Sequence, residues 1–411
     1  VARRRALIAG GGLGGLTAAL ALSRRGWEVC VFEQAATLEP VAAGISLWPN
    51  GLRALDQLGV GDAVRAAGQS PGPGGVRRPD GSWLVRNDLS AAVQERFGEP
   101  LVLLHRAELA DIIVRALPFG VVQAATRVLG VHPGGEGTPA TLITEHGEGD
   151  ADLVVAADGI RSTMRSFLFP NEAPTVGQVD AVGYSSWRMV APNPGNLPED
   201  GTGFETWGPE GRRFAVMPLK HNRLYCYAIA TETNAEVGSP LDRLHQHFGD
   251  WHEPIPAILA GLHEEDVMHH AVEDLHPGLP AFHRGRVAII GDAAHAMTPD
   301  LGQGGGMALE DAVVLGSLAG EGKIGDGYVS VPIPGVLEDF SRMRLPRTSM
   351  VARRSRRMGR LSSSAPYAAQ VMAARMVNVL PGRPAARSLT SIVDWRPPEL
   401  PPADPPPSTA C

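Results

Sequence analysis

The segment Gly10-Gly11-Gly12-Leu13-Gly14-Gly15 restricts this chain more than any other feature. It follows the apolar run Ala6 to Ala9 and precedes a helix read over Leu16 to Arg25, with Leu16, Ala19, Leu20 and Leu22 on its apolar side. Gly26 ends that helix, and Glu28 to Glu33 reads as the next strand. Strand, glycine turn, helix and strand make a βαβ unit, so the expected fold is α/β with a doubly wound, Rossmann-like parallel sheet. Each glycine has its own reason. Gly10 lets the chain turn tightly, Gly12 lets a pyrophosphate approach the backbone, and Gly15 lets helix and strand pack closely. The helix N-terminus then presents free N–H groups to phosphates. Glu33 stands where an acidic side chain takes the ribose hydroxyls of an adenosine. The segment points to a bound dinucleotide.

Two further apolar strands end on glycine turns: Asp152 to Ala157 runs into Asp158-Gly159, and Val287 to Ile290 runs into Gly291-Asp292. Strands apolar on both faces belong in the middle of a parallel sheet. Between them the texture changes. Residues 181–190, 203–208, 212–219 and 223–230 read as short strands with aromatic residues, separated by Gly, Pro and Asn turns. They imply an inserted mixed or antiparallel sheet. Residues 240–265 read as helical, as do Gly306 to about Ala319 and the Arg-rich stretch 335–380. The expected division is a discontinuous dinucleotide-binding domain of residues 1–75, 98–170 and 280–330, with a substrate domain of 76–97 and 171–279. A C-terminal helical segment of 331–395 and a Pro-rich tail of 396–411, too poor in apolar residues to fold, complete the chain.

Composition removes several classes. The hydrophobic share of 44% with 20% charged residues is ordinary for a globular chain with a sizeable core. The net charge is −7, and Lys occurs only at 220 and 323, so no clustered basic surface suits a nucleic acid. Cys30, Cys226 and Cys411 are far apart and odd in number, which supports neither a disulfide framework nor a cysteine zinc site; a reducing cytoplasm is expected. Arg3-Arg4-Arg5 precedes an apolar run that glycines break at once, unlike an export signal. No apolar stretch nears the ~20 residues of a membrane span. Seven histidines lie between His245 and His276, in spacings that match no metal motif, and they read as a solvated helical face. Monomer and homodimer both remain open.

Gly291-Asp292-Ala293-Ala294-His295 is followed by Thr298-Pro299-Asp300-Leu301-Gly302-Gln303-Gly304-Gly305-Gly306 and a helix carrying Glu310 and Asp311. The segment Asp158-Gly159-Ile160-Arg161-Ser162-Thr163-Met164-Arg165 lies between this and the first glycine turn. In order and spacing these three fingerprints resemble the group A flavoprotein monooxygenases, the family of p-hydroxybenzoate and salicylate hydroxylases, over residues 6 to about 320. The resemblance implies FAD as the dinucleotide and NADH or NADPH as a transient reductant. It implies O2 activated as a flavin C4a-hydroperoxide that hydroxylates a small aromatic or heteroaromatic substrate. Alternatives are a reductase or dehydrogenase of related fold, an epoxidase, or a non-catalytic FAD scaffold.

The resemblance also assigns roles. Asp292 would bind the ribityl chain, Arg106 the diphosphate region, and Val128 the adenine through its backbone. Asp158, Ser162 and Arg165 would support FAD and guide the nicotinamide, and Ser46 would lie beside the cofactor. Leu13, Gly14 and Gln34 complete the cofactor set. Physics supports Gly302, Gly304 and Gly305 separately: a partly buried helix N-terminus is worth up to ~2 kcal/mol to an anion such as reduced flavin, and glycines let the backbone approach the ring.

Within the family, Ser46 to Gly51, Gly211 to Pro218 and Thr298-Pro299-Asp300 are similar to the bacterial FAD-dependent urate hydroxylases. On that match Arg213, Tyr225 and Asp300, with Pro299 beside it, face the substrate. A structural ion pair at a domain junction is the other reading of Arg213 and Asp300. Where those enzymes have an Asn on the purine, this chain has Ser186, which cannot repeat the amide's pair of hydrogen bonds. Ser186, Trp187, Trp207 and Phe214 are the expected lining of the substrate pocket, with water kept out of it.

Overall fold

The computed structural model describes residues 4–38, 43–170, 177–195, 197, 202–232, 237–320, 322–324, 327–329, 332–379 and 389–398. Most of the expected Pro-rich tail lies outside these. Three segments of the chain return to one sheet. Strands β1 (Arg5–Ala9), β2 (Glu28–Phe32), β7 (Val122–Gln123), β11 (Leu153–Ala156), β17 (His283–Arg284) and β18 (Val287–Ile289) stand in the order β17-β18-β11-β1-β2-β7. All neighbours are parallel except β17 and β18. Ala6 to Ala9 and Leu153 to Ala156 are buried throughout, as strands covered on both faces must be. The order places the ends of β1, β11 and β18, and so all three fingerprints, side by side.

Helices α1 (Leu13–Ser23) and α10 (Gly304–Leu318) pack on this sheet as a pair, so closely that a Cβ on Gly316 would come within 2.8 Å of Ala21 Cβ. The glycine turn is shorter than the sequence implied: α1 begins at Leu13, and Gly14 and Gly15 are already helical. Helices α2 (Pro49–Gln57), α3 (Gly61–Ala67), α5 (Arg106–Ala116) and α6 (Thr163–Leu168) surround the sheet with an antiparallel pair, β3 (Gly44–Leu47) and β6 (Val102–His105). A three-stranded meander, β8 (Val128–His132), β9 (Ala140–Thr144) and β10 (Gly147–Ala151), lies at the same end.

The second large sheet runs β16-β12-β15-β14-β13-β4-β5, from β16 (Val267–Leu275), β12 (Val179–Pro192), β15 (Arg223–Ala230), β14 (Arg213–Leu219) and β13 (Phe204–Trp207) to β4 (Gly74–Arg77) and β5 (Trp83–Asn87). Its pairs are antiparallel except β13 with β4. One face carries an apolar core against α7 (Pro240–Phe248) and α8 (Ile255–Ala260). The other faces the flavin fingerprints. Helix α4 (Leu89–Phe97) follows β5, and the short α9 (Asp292–His295) follows β18. One reading needs correction: His269 and His270 lie on edge strand β16, not on a helix, because that segment pairs antiparallel with β12, His269 opposite Trp187 and His270 opposite Ser186. The 32-residue α11 (Ile333–Ser364), followed by α12 (Tyr367–Val379), spans both sheets, packing on α10 at one end and on the turns before β14 and α10 further along. Among the described residues no helix is long and apolar enough to cross a membrane.

Candidate active site

The three glycines of the first turn behave differently. Gly10 has φ +104°, and a Cβ there would lie 2.3 Å from the Ala157 carbonyl oxygen. A Cβ on Gly15 would lie 1.9 Å from the Gly10 oxygen, whereas Gly12 faces open space. Steric need at Gly10 and Gly15 and vacancy before Gly12 leave room for a ligand at the α1 N-terminus, which no side chain caps. Glu33 fixes the turn: its carboxylate accepts the N–H groups of Gly11 at 2.7 Å and Ala35 at 2.8 Å. Gln34 beside it is exposed.

A cavity of about 710 Å³ joins Gly12, Leu13 and Gly14 to Ser46, Arg106, Gly159, Asp292, Pro299, Gly302, Gly304 and Gly305. Arg106 and Asp292 line it as exposed residues, and among the described residues neither side chain has a hydrogen-bonded protein partner. Burial within the protein pulls the Arg106 pKa down, against the attraction of Asp292. The indole N–H of Trp48 also faces this space, buried and unpartnered. Such a set of free donors and acceptors suits a polar cofactor chain. Val128 opens β8 and does not line the cavity, nor do Glu33 and Gln34. Asp158 does not reach it either; its oxygens accept from Ser162 Oγ at 2.6 Å and from the Met164 N–H at 3.0 Å, capping α6. Arg165 donates to the carbonyls of Ile160 at 2.7 Å and Ala293 at 3.0 Å, so it clamps two fingerprints together.

Behind the Gly302–Gly305 loop lies a buried network that sequence reasoning missed. Asp311 accepts from the Gly291 N–H at 2.9 Å, His295 Nε2 at 2.5 Å and Arg344 Nε at 2.7 Å. Glu310 accepts from Asn50, Arg344 and Arg347, and Asn50 also donates to Gln303 at 2.9 Å. Burial alone would raise the Asp311 pKa; the charges of His295 and Arg344 outweigh it and hold the group below the ordinary carboxylate range. The network ties α11 to the backbone on both sides of the loop.

Across the cavity stands the second sheet. Strand alternation decides which side chains face it. Glu205, Ala215, Tyr227 and Arg188 form one cross-strand row; Arg213, Ile229 and Ser186 form the next. Tyr225 follows beside Met217, its ring so close to Gly44 that a Cβ there would lie 2.3 Å away. Burial pushes the Tyr225 pKa up. Trp187 and Phe214, expected in the pocket, point the other way: both are fully buried in the core against α7 and α8, and Trp187 donates to the Pro240 carbonyl at 3.0 Å. The reason is parity, since each neighbours a residue that faces the cavity. Trp207 does not line it either, but donates its indole N–H to Glu205 at 2.8 Å.

Arg213 donates to Asp300 Oδ1 at 2.6 Å, with Glu205 at 3.8 Å. Burial would lower its pKa, but Glu205 and Asp300 reverse this, so the guanidinium stays charged while its Nε has no partner. Asp300 also accepts from the Tyr184 hydroxyl at 2.6 Å, and Glu205 from that of Tyr227 at 3.0 Å. Helix α11 closes this corner: a Cβ on Gly359 would lie 2.5 Å from Asp300 Oδ2. Glu205, Tyr184 and Tyr227 carry no motif; the signal that could have found the first and last is their two-residue spacing from Trp207 and Tyr225.

A family model described as the FAD binding domain matches residues 3–323. The chain belongs to this family. As an FAD binding domain protein it is 35% identical over 357 residues, 86% of this chain and 88% of the relative, to aurachin C monooxygenase/isomerase of Stigmatella aurantiaca. It is 32% identical over 327 residues, 76% of this chain and 81% of the relative, to FAD-dependent urate hydroxylase of Klebsiella pneumoniae. The crystal structure of Klebsiella pneumoniae HpxO with FAD and uric acid superimposes with TM-score 0.83 at 26% identity, covering 95% of this chain and 96% of the other. A salicylate hydroxylase substrate complex shares the fold, with TM-score 0.73 at 23% identity over 96% of each chain. The fold, the FAD cofactor and the enzyme class read from the sequence hold: this is an FAD-dependent flavoprotein monooxygenase.

Proposed function

We propose that this monooxygenase hydroxylates a small aromatic or heteroaromatic ring held between the second sheet and the Gly302–Gly305 loop. The observation that carries this reading is the shared cavity: the free polar groups of the flavin fingerprints and the row of Glu205, Arg213, Tyr225 and Tyr227 open into one space. Asp292, Arg106, Gly12 and the uncapped N-termini of α1 and α10 would hold FAD. When bound, FAD reduced by NADH or NADPH would activate O2, one atom of which goes to the ring and the other to water.

The protein's part is orientation and dryness. Asp300 accepts from both Arg213 and Tyr184, which suits it to fix Arg213 rather than to take a proton. Arg213, held charged beside Asp300 in the cavity wall, would orient a carbonyl or hydroxyl on the ring. Tyr225 and Tyr227 stay neutral under burial, so they offer ring surface and hydroxyl groups and no charge. Ser186, Pro299 and Ser46 complete the wall. We further place the protein in the cytoplasm as a monomer or homodimer, and its net charge of −7 supports a reading without a nucleic-acid partner.

The test measures O2 uptake and product mass with labelled O2, across phenols, indoles, purines and pyridines. One labelled oxygen atom in the product is expected. Ring-stimulated NAD(P)H oxidation that yields a reduced product without label would make the chain a reductase.

A further inference from the structure

The cavity wall holds three guanidinium groups in unequal circumstances. Arg213 is matched by Asp300 at 2.6 Å and Glu205 at 3.8 Å. Arg106 is attracted by Asp292 on the flavin side. Arg188 has neither kind of partner. It is half-buried on β12 and lines the cavity, and among the described residues no acceptor receives a hydrogen bond from it and no carboxylate lies within ion-pair distance. Its positive charge instead falls on Arg106, Tyr225 and His270.

Its position adds a direction. Arg188 pairs with Tyr227, Tyr227 with Ala215, and Ala215 with Glu205, all in one row across β12, β15, β14 and β13. Three strand spacings separate the ends, roughly 14 Å between backbones. The row is positive at Arg188 and negative at Glu205, where Asp300 adds a second carboxylate against one Arg213. Arg213 therefore sits in a locally anionic corner and makes a poor receptor for another anion. A guanidinium without a partner in a sheltered wall is matched by an oxyanion, bidentate where the ligand is a carboxylate.

We infer that Arg188 is a specificity-determining residue that receives an anionic oxygen group, a carboxylate on the aromatic substrate, while Glu205 at the other end of the row receives a hydrogen-bond donor on the opposite edge of the ring. This rests on the hydroxylase reading and narrows it to ring acids.

The test uses the FAD-loaded protein and matched pairs of ring acids and their carboxamides: 4-hydroxybenzoate, 3-amino-4-hydroxybenzoate and quinoline-2-carboxylate. Binding is read from the perturbation of flavin absorbance. At least one acid is expected to bind ten or more times tighter than its amide, and Arg188→Gln is expected to bring that ratio near one with FAD retained. Arg188→Lys should keep a reduced preference for the acid, which supplies a reading if the Gln variant does not hold FAD. No acid preference in the natural protein, no binding of any acid, or an unchanged ratio in Arg188→Gln overturns the assignment. So does a raised KM for NAD(P)H with the ratio unchanged, which would give Arg188 to the reductant's diphosphate. A neutral ring that is hydroxylated without acid preference sinks Arg188 alone. Acid preference without oxygen in any product sinks the hydroxylase reading and leaves Arg188 in place.

Discussion

Two Arg–carboxylate assemblies face each other across the cavity, and they are finished to different degrees. Behind the flavin loop, Glu310, Asp311 and Arg344 are buried to 1% exposure or less, and every carboxylate oxygen accepts at least one hydrogen bond. On the second sheet, Glu205 is 21% exposed along its side chain, and the Arg188 guanidinium lines the cavity with no hydrogen-bond or ion-pair partner among the described residues. An assembly whose charges are all matched fixes backbone; one with an unmatched guanidinium leaves valence for a ligand. The difference separates scaffold from site without reference to any motif.

The largest effect is expected where the network is closed. Arg344→Ala would leave two buried carboxylates short of a cation, and breaking a buried pair costs about 3–5 kcal/mol. Thermal unfolding and flavin absorbance should both fall together, because Asp311 also holds the Gly291 N–H. For a chain of this length that loss lowers the melting temperature by only about 4–6 °C, and a melting temperature within about one degree of the natural protein's would mean that Arg344 does not match the two carboxylates.

On the open side, Arg213→Ala should leave FAD bound and lower kcat/KM by roughly a hundredfold, the scale of a misplaced substrate. Unchanged kinetics on the true substrate would remove Arg213 from the pocket. Asp292→Ala lies between the two regions. Losing one charge-assisted anchor of about 1.5–3 kcal/mol should weaken FAD roughly 10- to 150-fold, seen as lost flavin absorbance in a protein with a normal melting temperature.

The flavin half was legible in the sequence because its signals are local. Gly10 turns with φ +104° and a Cβ on Gly15 would meet the Gly10 oxygen, reasons contained in one turn, and Glu33 follows at the end of the next strand. The substrate half was legible as strands but not as faces. Which side of β12 meets the cavity depends on α7 and α8 covering the other, and those contacts join residues that the sequence separates widely. Arg344 was equally silent, an arginine in an Arg-rich helix until α10 supplied Glu310 and Asp311. Aromatic side chains then drew attention to Trp187 and Phe214, where packing alone had required them.

Parity offers the smallest and cleanest test. Arg213 and Phe214 are consecutive on β14, one in the cavity and the other wholly buried, its ring edge-on to Phe248 at 5.5 Å between centroids. Phe214→Leu keeps an apolar side chain in that core, and such a swap costs up to about 1.5 kcal/mol when the neighbours can settle. Since nothing on this face of the strand meets substrate or cofactor, KM and kcat should stay within twofold while the melting temperature falls slightly. A tenfold change in KM for substrate, with the melting temperature preserved, would place Phe214 in the pocket after all and would require the strand to be turned over. That result would also move Arg213 and Ala215 out of the cavity, because one residue of slip reverses every side chain on the strand.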